Sequence, residues 1–269
     1  MDRKMLVLDI DGTLTNSKKE ITPATKAAIT RVLEEGHVVV IASGRPTPGT
    51  KRVCEELELK KYSGYVLSYN GARITRLSDN TVVHQKVLDK KYIPEIFEYC
   101  IKNDMGMMTY EDNDAITGTR IDEYMLLEAR INSIGLRSID NFVEYVNFPV
   151  NKCLLTKENV EAEKACSELG TKYKGELSIY RSEPFFVEIM PEGVDKAASL
   201  EVLRNILGIE RENIVCCGDG FNDLSMIKYA GVGVSMANGC DACREAADYI
   251  APSNDQDGLV DVIKKYFNV

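Results

Sequence analysis

The 269-residue sequence holds no apolar run near the ~20 residues that span a bilayer, and no membrane partner is expected. The opening stretch MDRKMLVLDIDG carries too short an apolar segment for a secretory signal, so a cytoplasmic chain is expected. Positive charge is short as well. Lys and Arg number 33 against 42 Asp and Glu, a formal net charge of −9, which argues against a polyanion-binding surface and a nucleic-acid partner. Histidine is confined to His37 and His84, neither beside a recognisable partner, and neither is assigned to catalysis. No Walker A sequence and no G-x-G-x-x-G following a strand occurs, so a nucleotide cradle is not indicated. Eight scattered cysteines suit a reducing compartment better than a disulfide scaffold. Cys240 and Cys243 make one C-x-x-C, but no second pair with zinc-ligand spacing accompanies it, so they read as incidental helix cysteines. Internal repeats are lacking too, and nothing in the sequence indicates an oligomeric state.

What is present is a chain that is 44% hydrophobic, with alternating strand and helix signals. Met5–Leu8 is a short apolar run. Thr22-Pro23 supplies an N-cap and first-turn proline for a helix through Glu35, with Gly36 as its stop. The strand HVVVIASG (His37–Gly44), a helix over Thr47–Leu57 and the strand YVLSYNG (Tyr65–Gly71) complete a β-α-β-α-β pattern, which predicts a parallel sheet covered on both faces. From about Val82 the pattern changes. TVVHQKV opens an α+β insert that closes with a hairpin around Glu183-Pro184. After Pro191 the alternation resumes with a helix over Lys196–Leu207, the strand NIVCCGD, a helix near Asp223–Tyr229, the strand VGVSM and a last helix over Leu259–Phe267. The fold class is α/β, with a discontinuous core of residues 1–82 and 191–269 interrupted by a second domain, residues 83–190.

Four features fall where core strands end or the core resumes, and ligands of open parallel sheets bind beyond the carboxyl ends of strands. They are Asp9-Ile10-Asp11-Gly12-Thr13, Ser43-Gly44-Arg45, Lys196, and GDGFND (Gly218–Asp223). Two carboxylates one residue apart at the edge of a buried strand repel each other, so either a cation lies between them or one keeps its proton. Asp9, Asp11, Asp219 and Asp223 could surround a hard divalent cation, and glycine turns with exposed amides could hold an anion. Together they describe a phosphate held on Mg²⁺.

In this order the four motifs resemble the haloacid dehalogenase superfamily of phosphohydrolases. The insert resembles a C2-type cap, and the tail YAGVGVSMANG through DGLVDVIKKYF resembles the Cof-type, sugar-phosphatase-like branch, subclass IIB. The resemblance implies a Rossmann-like core in which Asp9 is the nucleophile that becomes an aspartyl phosphate. Asp11 is then the general acid, and later the base. It implies Mg²⁺ held by the Asp9 carboxylate, the Asp11 backbone carbonyl and Asp219, with Asp223 in support. Ile10 and Gly44 amides, Ser43, Lys196 and Asn222 would hold the phosphoryl oxygens.

Arg45, Asn70 and Arg181 are candidate substrate contacts, with loop fixing or a surface ion pair as the alternative for each. The expected activity is hydrolysis of small phosphorylated metabolites, foremost sugar phosphates. Three rivals remain open: a phosphomutase; a phosphatase of pyridoxal phosphate or a flavin precursor, using Tyr110, Tyr180, Phe185 or Phe186 as a stacking platform; and a metabolite-binding regulator without turnover.

Overall fold

The structure, a computed structural model, describes residues 3–267. Its first stretch runs β1 (Met5–Leu8), α1 (Pro23–Glu34), β2 (Val38–Ala42), α2 (Lys51–Glu56), β3 (Tyr65–Ser68), β4 (Arg73–Arg76) and β5 (Thr81–Gln85). The middle stretch holds α3 (Tyr92–Lys102), β6 (Gly106–Glu111), β7 (Asp114–Thr117), α4 (Glu123–Asn132), β8 (Gly135–Ser138), α5 (Phe142–Tyr145), β9 (Cys153–Thr156), α6 (Asn159–Lys172), β10 (Leu177–Glu183) and β11 (Phe186–Pro191). The last comprises α7 (Lys196–Leu207), β12 (Ile214–Gly218), α8 (Leu224–Tyr229), β13 (Val232–Met236), α9 (Asp241–Ala246), β14 (Tyr249–Ala251) and α10 (Gly258–Phe267). Two compact units result, Met1–His84 with Asp195–Val269, and Gln85–Val194.

The first unit is built on an eight-stranded sheet in the order β14-β13-β12-β1-β2-β3-β4-β5. Strands β14 through β3 in that order are parallel. Alternation along each strand divides the apolar residues between two faces. Leu6, Leu8, Val39, Ile41, Val215 and Val234 pack with α1 and α10 on one side. Met5, Val7, Val38, Val40, Ile214 and Cys216 pack with α7 and α8 on the other. Both faces are covered, which is why these strands read as unbroken apolar runs rather than alternating ones.

The far edge departs from the sequence reading. β4 runs antiparallel to β3, pairing Tyr65 with Arg76 and Ser68 with Arg73. β5, expected to open the insert, instead lies next to β4 in the first sheet. Tyr65–Gly71 is not one strand: β3 stops at Ser68, and Tyr69–Gly71 form a 3₁₀ turn. The helix expected over Thr47–Leu57 is a 3₁₀ turn at Thr47–Thr50 followed by α2.

In the second unit a six-stranded sheet runs β10-β11-β9-β6-β7-β8, antiparallel except for β7 with β8. Met107, Ile116, Cys153, Leu155, Val187 and Ile189 meet Ile93, Ile96 and Cys100 of α3 and Ala162, Ala165 and Leu169 of α6. Met105 and Met107 therefore belong to a packed core. Among the described residues no helix is long and apolar enough to cross a membrane.

Candidate active site

Strand order dictates where a ligand can bind in the first unit. From β1 the chain winds outward through β2 and β3, then returns to place β12 on the other side of β1. The crossover connections leaving β1 and β12 diverge there, opening a crevice at the strands' carboxyl ends. Asp9 follows the last residue of β1, Ser43 follows β2, Tyr69 and Asn70 follow β3, and Asp219 follows β12.

Lys196 enters the crevice from α7, whose N-cap Asp195 accepts a hydrogen bond from the Ala198 amide at 2.9 Å. A cation at the first residue of a helix faces the positive end of the helix dipole, so its position needs local compensation. Two carboxylates provide it. The Lys196 Nζ, wholly buried, donates to Asp9 Oδ1 at 2.7 Å, Asp223 Oδ1 at 2.5 Å and the Ala42 carbonyl at 2.7 Å. All three ammonium protons are thereby used. Burial alone would favour the neutral amine, but the charges of Asp223 and Asp9 outweigh it and raise the Lys196 pKa above its ordinary value.

One ammonium does not neutralise the cluster. Burial, then the charge of Asp223, push the Asp9 carboxyl up to about 7 despite Lys196. Asp219 is pushed up to about 6, again chiefly by burial, with the Thr13 hydrogen bond opposing. One carboxylate oxygen from each of Asp9, Asp219 and Asp223 lies within 4.8 Å of the others. Hard oxygen donors crowded this closely, with excess negative charge, fit a divalent cation such as Mg²⁺. The donors are already oriented. The Thr13 hydroxyl donates to Asp219 Oδ1 at 2.7 Å, and Asp223 Oδ2 accepts from the amides of Asp219 and Gly220, both at 2.9 Å. Both oxygens of Asp223 are thus engaged by the protein, whereas Asp9 and Asp219 each keep one oxygen without a protein donor among the described residues. Gly12 makes room for this arrangement: its φ is +87°, and a Cβ there would lie 2.2 Å from Asp219 Oδ2.

The fourth expected carboxylate is not in the cluster. The Asp11 side chain turns to Arg45, accepting from Nε and from one terminal nitrogen at 2.9 Å each, and to Lys19 Nζ at 3.0 Å. Partial burial would raise its pKa, but Arg45 and then Lys19 outweigh that and hold it below the ordinary carboxylate value. A bidentate guanidinium is the geometric reason Asp11 points away from Asp9 and Asp219. Lys19 carried no signal in the sequence, since it lies in a turn of ordinary polar residues.

The remaining predicted residues fall around the same crevice, with one exception. Ser43 is buried. Its amide donates to the Leu67 carbonyl and its carbonyl accepts from Asn70, while its Oγ accepts from the Arg45 amide at 3.2 Å. Asn70 Oδ1 accepts from Asn222 Nδ2 at 3.1 Å and stands 3.0 Å from where a Cβ on Gly44 would be. Tyr69 and Asn70 both have φ of +53° and Gly71 has +98°, so three consecutive residues are left-handed. That conformation is costly for non-glycine residues and is held here by the Asn70 amide bond to Ser43 and the Ser199 Oγ bond to the Gly71 carbonyl at 2.6 Å. Ile10 lies between the two aspartates, and its carbonyl accepts from the amide and hydroxyl of Thr15. Arg181 belongs to the second unit, where it donates to Asn159 Oδ1 at 2.7 Å and to the Pro184 carbonyl at 3.3 Å. Of the expected stacking residues, Phe185 lies against Tyr124 at 4.7 Å between ring centroids, and the Tyr110 hydroxyl donates to Glu128 at 2.6 Å.

Sequence and structure comparisons show what the chain is similar to. YxeH of Bacillus subtilis (strain 168), a candidate phosphatase by name, is 30% identical over 263 residues, 97% of both chains. YcsE of the same organism, named a 5-amino-6-(5-phospho-D-ribitylamino)uracil phosphatase, is 29% identical over 269 residues, 99% of this chain and 96% of its own. The crystal structure of a haloacid dehalogenase-like hydrolase from Bacteroides thetaiotaomicron superposes with a TM-score of 0.94 at 39% identity, over 98% of this chain and 99% of that one. The model of the haloacid dehalogenase-like hydrolases matches residues 6–263, the span that carries Asp9, Ser43, Lys196 and Gly218–Asp223, so the chain belongs to that family and is a phosphatase.

Proposed function

We propose that the protein hydrolyses phosphomonoesters of small metabolites, sugar phosphates foremost, through an aspartyl phosphate on Asp9 with Mg²⁺ as cofactor. Residues 1–82 with 191–269 are the catalytic core in this reading, and 83–190 the C2-type cap. The observation that carries it is the buried Lys196 bridging Asp9 and Asp223 beside Asp219, an arrangement with one reactive carboxylate and too little positive charge of its own. Mg²⁺, held by the carboxylates of Asp9 and Asp219 and the Asp11 backbone carbonyl with Asp223 in support, would supply charge neutralisation for an approaching phosphate dianion and for its transition state.

The protein's own groups carry the bond changes. An oxygen of Asp9 attacks phosphorus while the ester P–O bond breaks, and the leaving oxygen takes a proton from Asp11. Water then attacks the phosphorus of the aspartyl phosphate, giving its proton to Asp11, and the Asp9 carboxylate is released with inorganic phosphate. Lys196, the Ser43 hydroxyl, Asn222 and the amides of Ile10 and Gly44 stabilise the charge spread over the phosphoryl oxygens. Since Asp11 is held ionised by Arg45 and Lys19, substrate must loosen that grip for Asp11 to act as an acid.

The experiment is phosphate release across sugar phosphates, pyridoxal phosphate, flavin precursors and nucleotides, with Mg²⁺ and with EDTA, for the parent and Asp9→Asn. Metal-dependent release abolished by Asp9→Asn supports the reading. Isomerised sugar phosphate in place of free phosphate would favour a mutase instead. A second reading, a phosphorylated flavin precursor as substrate, is favoured by the name of the 29% identical relative YcsE, and the same panel decides it.

A further inference from the structure

The C-x-x-C pair has a position that its sequence does not reveal. Cys240 caps α9, and the Cys243 amide donates to the Cys240 carbonyl at 3.0 Å, so one helical turn sets both side chains on the same side. Both also grip the loop that carries Asp219. The Cys240 amide donates to the Asp219 carbonyl at 2.8 Å, and the Cys243 thiol donates to the Gly220 carbonyl at 3.0 Å. The amides on either side of that peptide orient Asp223, so the cysteines and Asp223 hold one short segment between them.

We propose that Cys240 and Cys243 form a reversible disulfide when the protein meets a low-molecular-weight disulfide, and that this modification weakens metal binding at Asp219. Cys240 at the N-cap and Cys243 at the third residue of α9 share one helical turn, the arrangement a bridge between two side chains requires, whereas Cys216 and Cys217, successive in β12, face opposite sides of the sheet. Cys240 is partly exposed and Cys243 buried, so Cys240 is the attacking thiol. Its thiolate attacks a sulfur of the small disulfide and expels one small thiol. Cys243 then loses its proton and attacks the Cys240 sulfur of the mixed disulfide, expelling the second. Two electrons pass from the cysteine pair to the small disulfide, and two small thiols are produced. The proton that Cys243 donates to the Gly220 carbonyl is lost, so the segment after Asp219 keeps the Cys240 amide bond but loses its second tie to α9.

The metal-binding half of this inference rests on the function proposed above. The test equilibrates the full chain with oxidised glutathione and reads three quantities: the mass of the peptide containing both cysteines, the Mg²⁺ affinity from the metal-induced rise in melting temperature, and phosphate release. The expected result is loss of a pair of hydrogens from that peptide with about 10-fold weaker Mg²⁺ affinity, the lower end of what loss of an outer-shell partner costs. Both changes reverse with dithiothreitol. Cys240→Ser shows neither, and its reduced-state phosphate release matches the parent. Cys243→Ser, which keeps a hydroxyl donor toward Gly220, is likewise insensitive to the oxidant. Thiols that stay reduced, a mixed disulfide that stops at glutathione, or an internal disulfide with unchanged Mg²⁺ affinity each overturns the proposal. Absence of phosphate release from reduced protein that still binds Mg²⁺ counts against the proposed function alone, because mass and affinity still decide the disulfide.

Discussion

The Nζ of Lys196 lies 2.7 Å from Asp9 Oδ1 and 2.5 Å from Asp223 Oδ1, so one buried ammonium links the residue after β1 to the loop after β12. Lys196→Met leaves the two carboxylates buried and facing each other. Removing one partner of a buried ion pair costs about 3–5 kcal/mol, and loss of a preorganised donor lowers kcat about 10²–10³-fold. Urea unfolding of the metal-free variant should show the loss, smaller at acid pH where a carboxylate takes up a proton instead, and saturating Mg²⁺ should recover part of it. Parent-like stability at neutral pH would contradict this account.

The pH dependence of the metal-free protein follows from Asp9 and Asp219. Their folded pKa values, about 7 and about 6, lie above the ordinary 3.8, so the folded state binds more protons than the unfolded state between those limits. Stability from these groups is therefore fully present below pH 3.8 and is lost as pH rises toward 7. Asp9→Asn removes the main crowded charge. It should flatten the fall, melt at or above the parent's temperature near neutrality, and release no phosphate. Melting curves with EDTA across that range check the slope; a stability that rises through it would be inconsistent with crowded carboxylates.

Gly12 tests how tightly the Asp219 carboxylate is seated. Gly12→Ala forces a left-handed φ on a residue with a Cβ, costing about 1–2 kcal/mol, and drives that Cβ into Asp219 Oδ2. Thermal unfolding should report the strain, and a Mg²⁺ titration should report displaced Asp219. Gly36→Ala is the control, since it shares a positive φ but meets nothing within 4 Å; it should cost stability without changing Mg²⁺ affinity.

In the second unit Lys152 and Glu188 form a buried pair at 3.3 Å, with the Tyr180 hydroxyl also on Glu188 at 3.2 Å and the Lys152 ammonium 5.5 Å from the centroid of the Tyr110 ring. Lys152→Met should destabilise by about 3–5 kcal/mol because it strands a buried carboxylate, and adding Glu188→Leu should restore much of it. A double-mutant cycle read by urea unfolding measures the coupling. Additive losses would mean that the pair is held by its surroundings and not by mutual attraction.

Much of the first unit was legible because its strands are buried on both faces and stand out as apolar runs, and because Thr22-Pro23 and Gly36 mark helix ends. The edge was harder to read. β4 has the sequence RITR, with only Ile74 an apolar residue, and β5 carries no feature that assigns it to one sheet or the other. Pairing with β3 supplies what local propensity lacks, so strand membership there is a property of the assembled sheet.

Residue identity and order by themselves determined that two aspartates follow a buried strand, that a glycine-rich acidic loop follows another, and that charge crowding at such a place needs a cation or a retained proton. Tertiary structure decided which carboxylates share the crowding. Asp9, Asp219 and Asp223 converge because β12 pairs directly with β1, across more than 200 residues of chain, whereas Asp11, two residues from Asp9, is drawn off by Arg45 and Lys19. The pairing of β13 with β12 then brings Cys240 and Cys243 behind Asp219. Sequence spacing cannot show either outcome, because coulombic and hydrogen-bond partners are set by distance in space, and that distance exists only once the strands have paired.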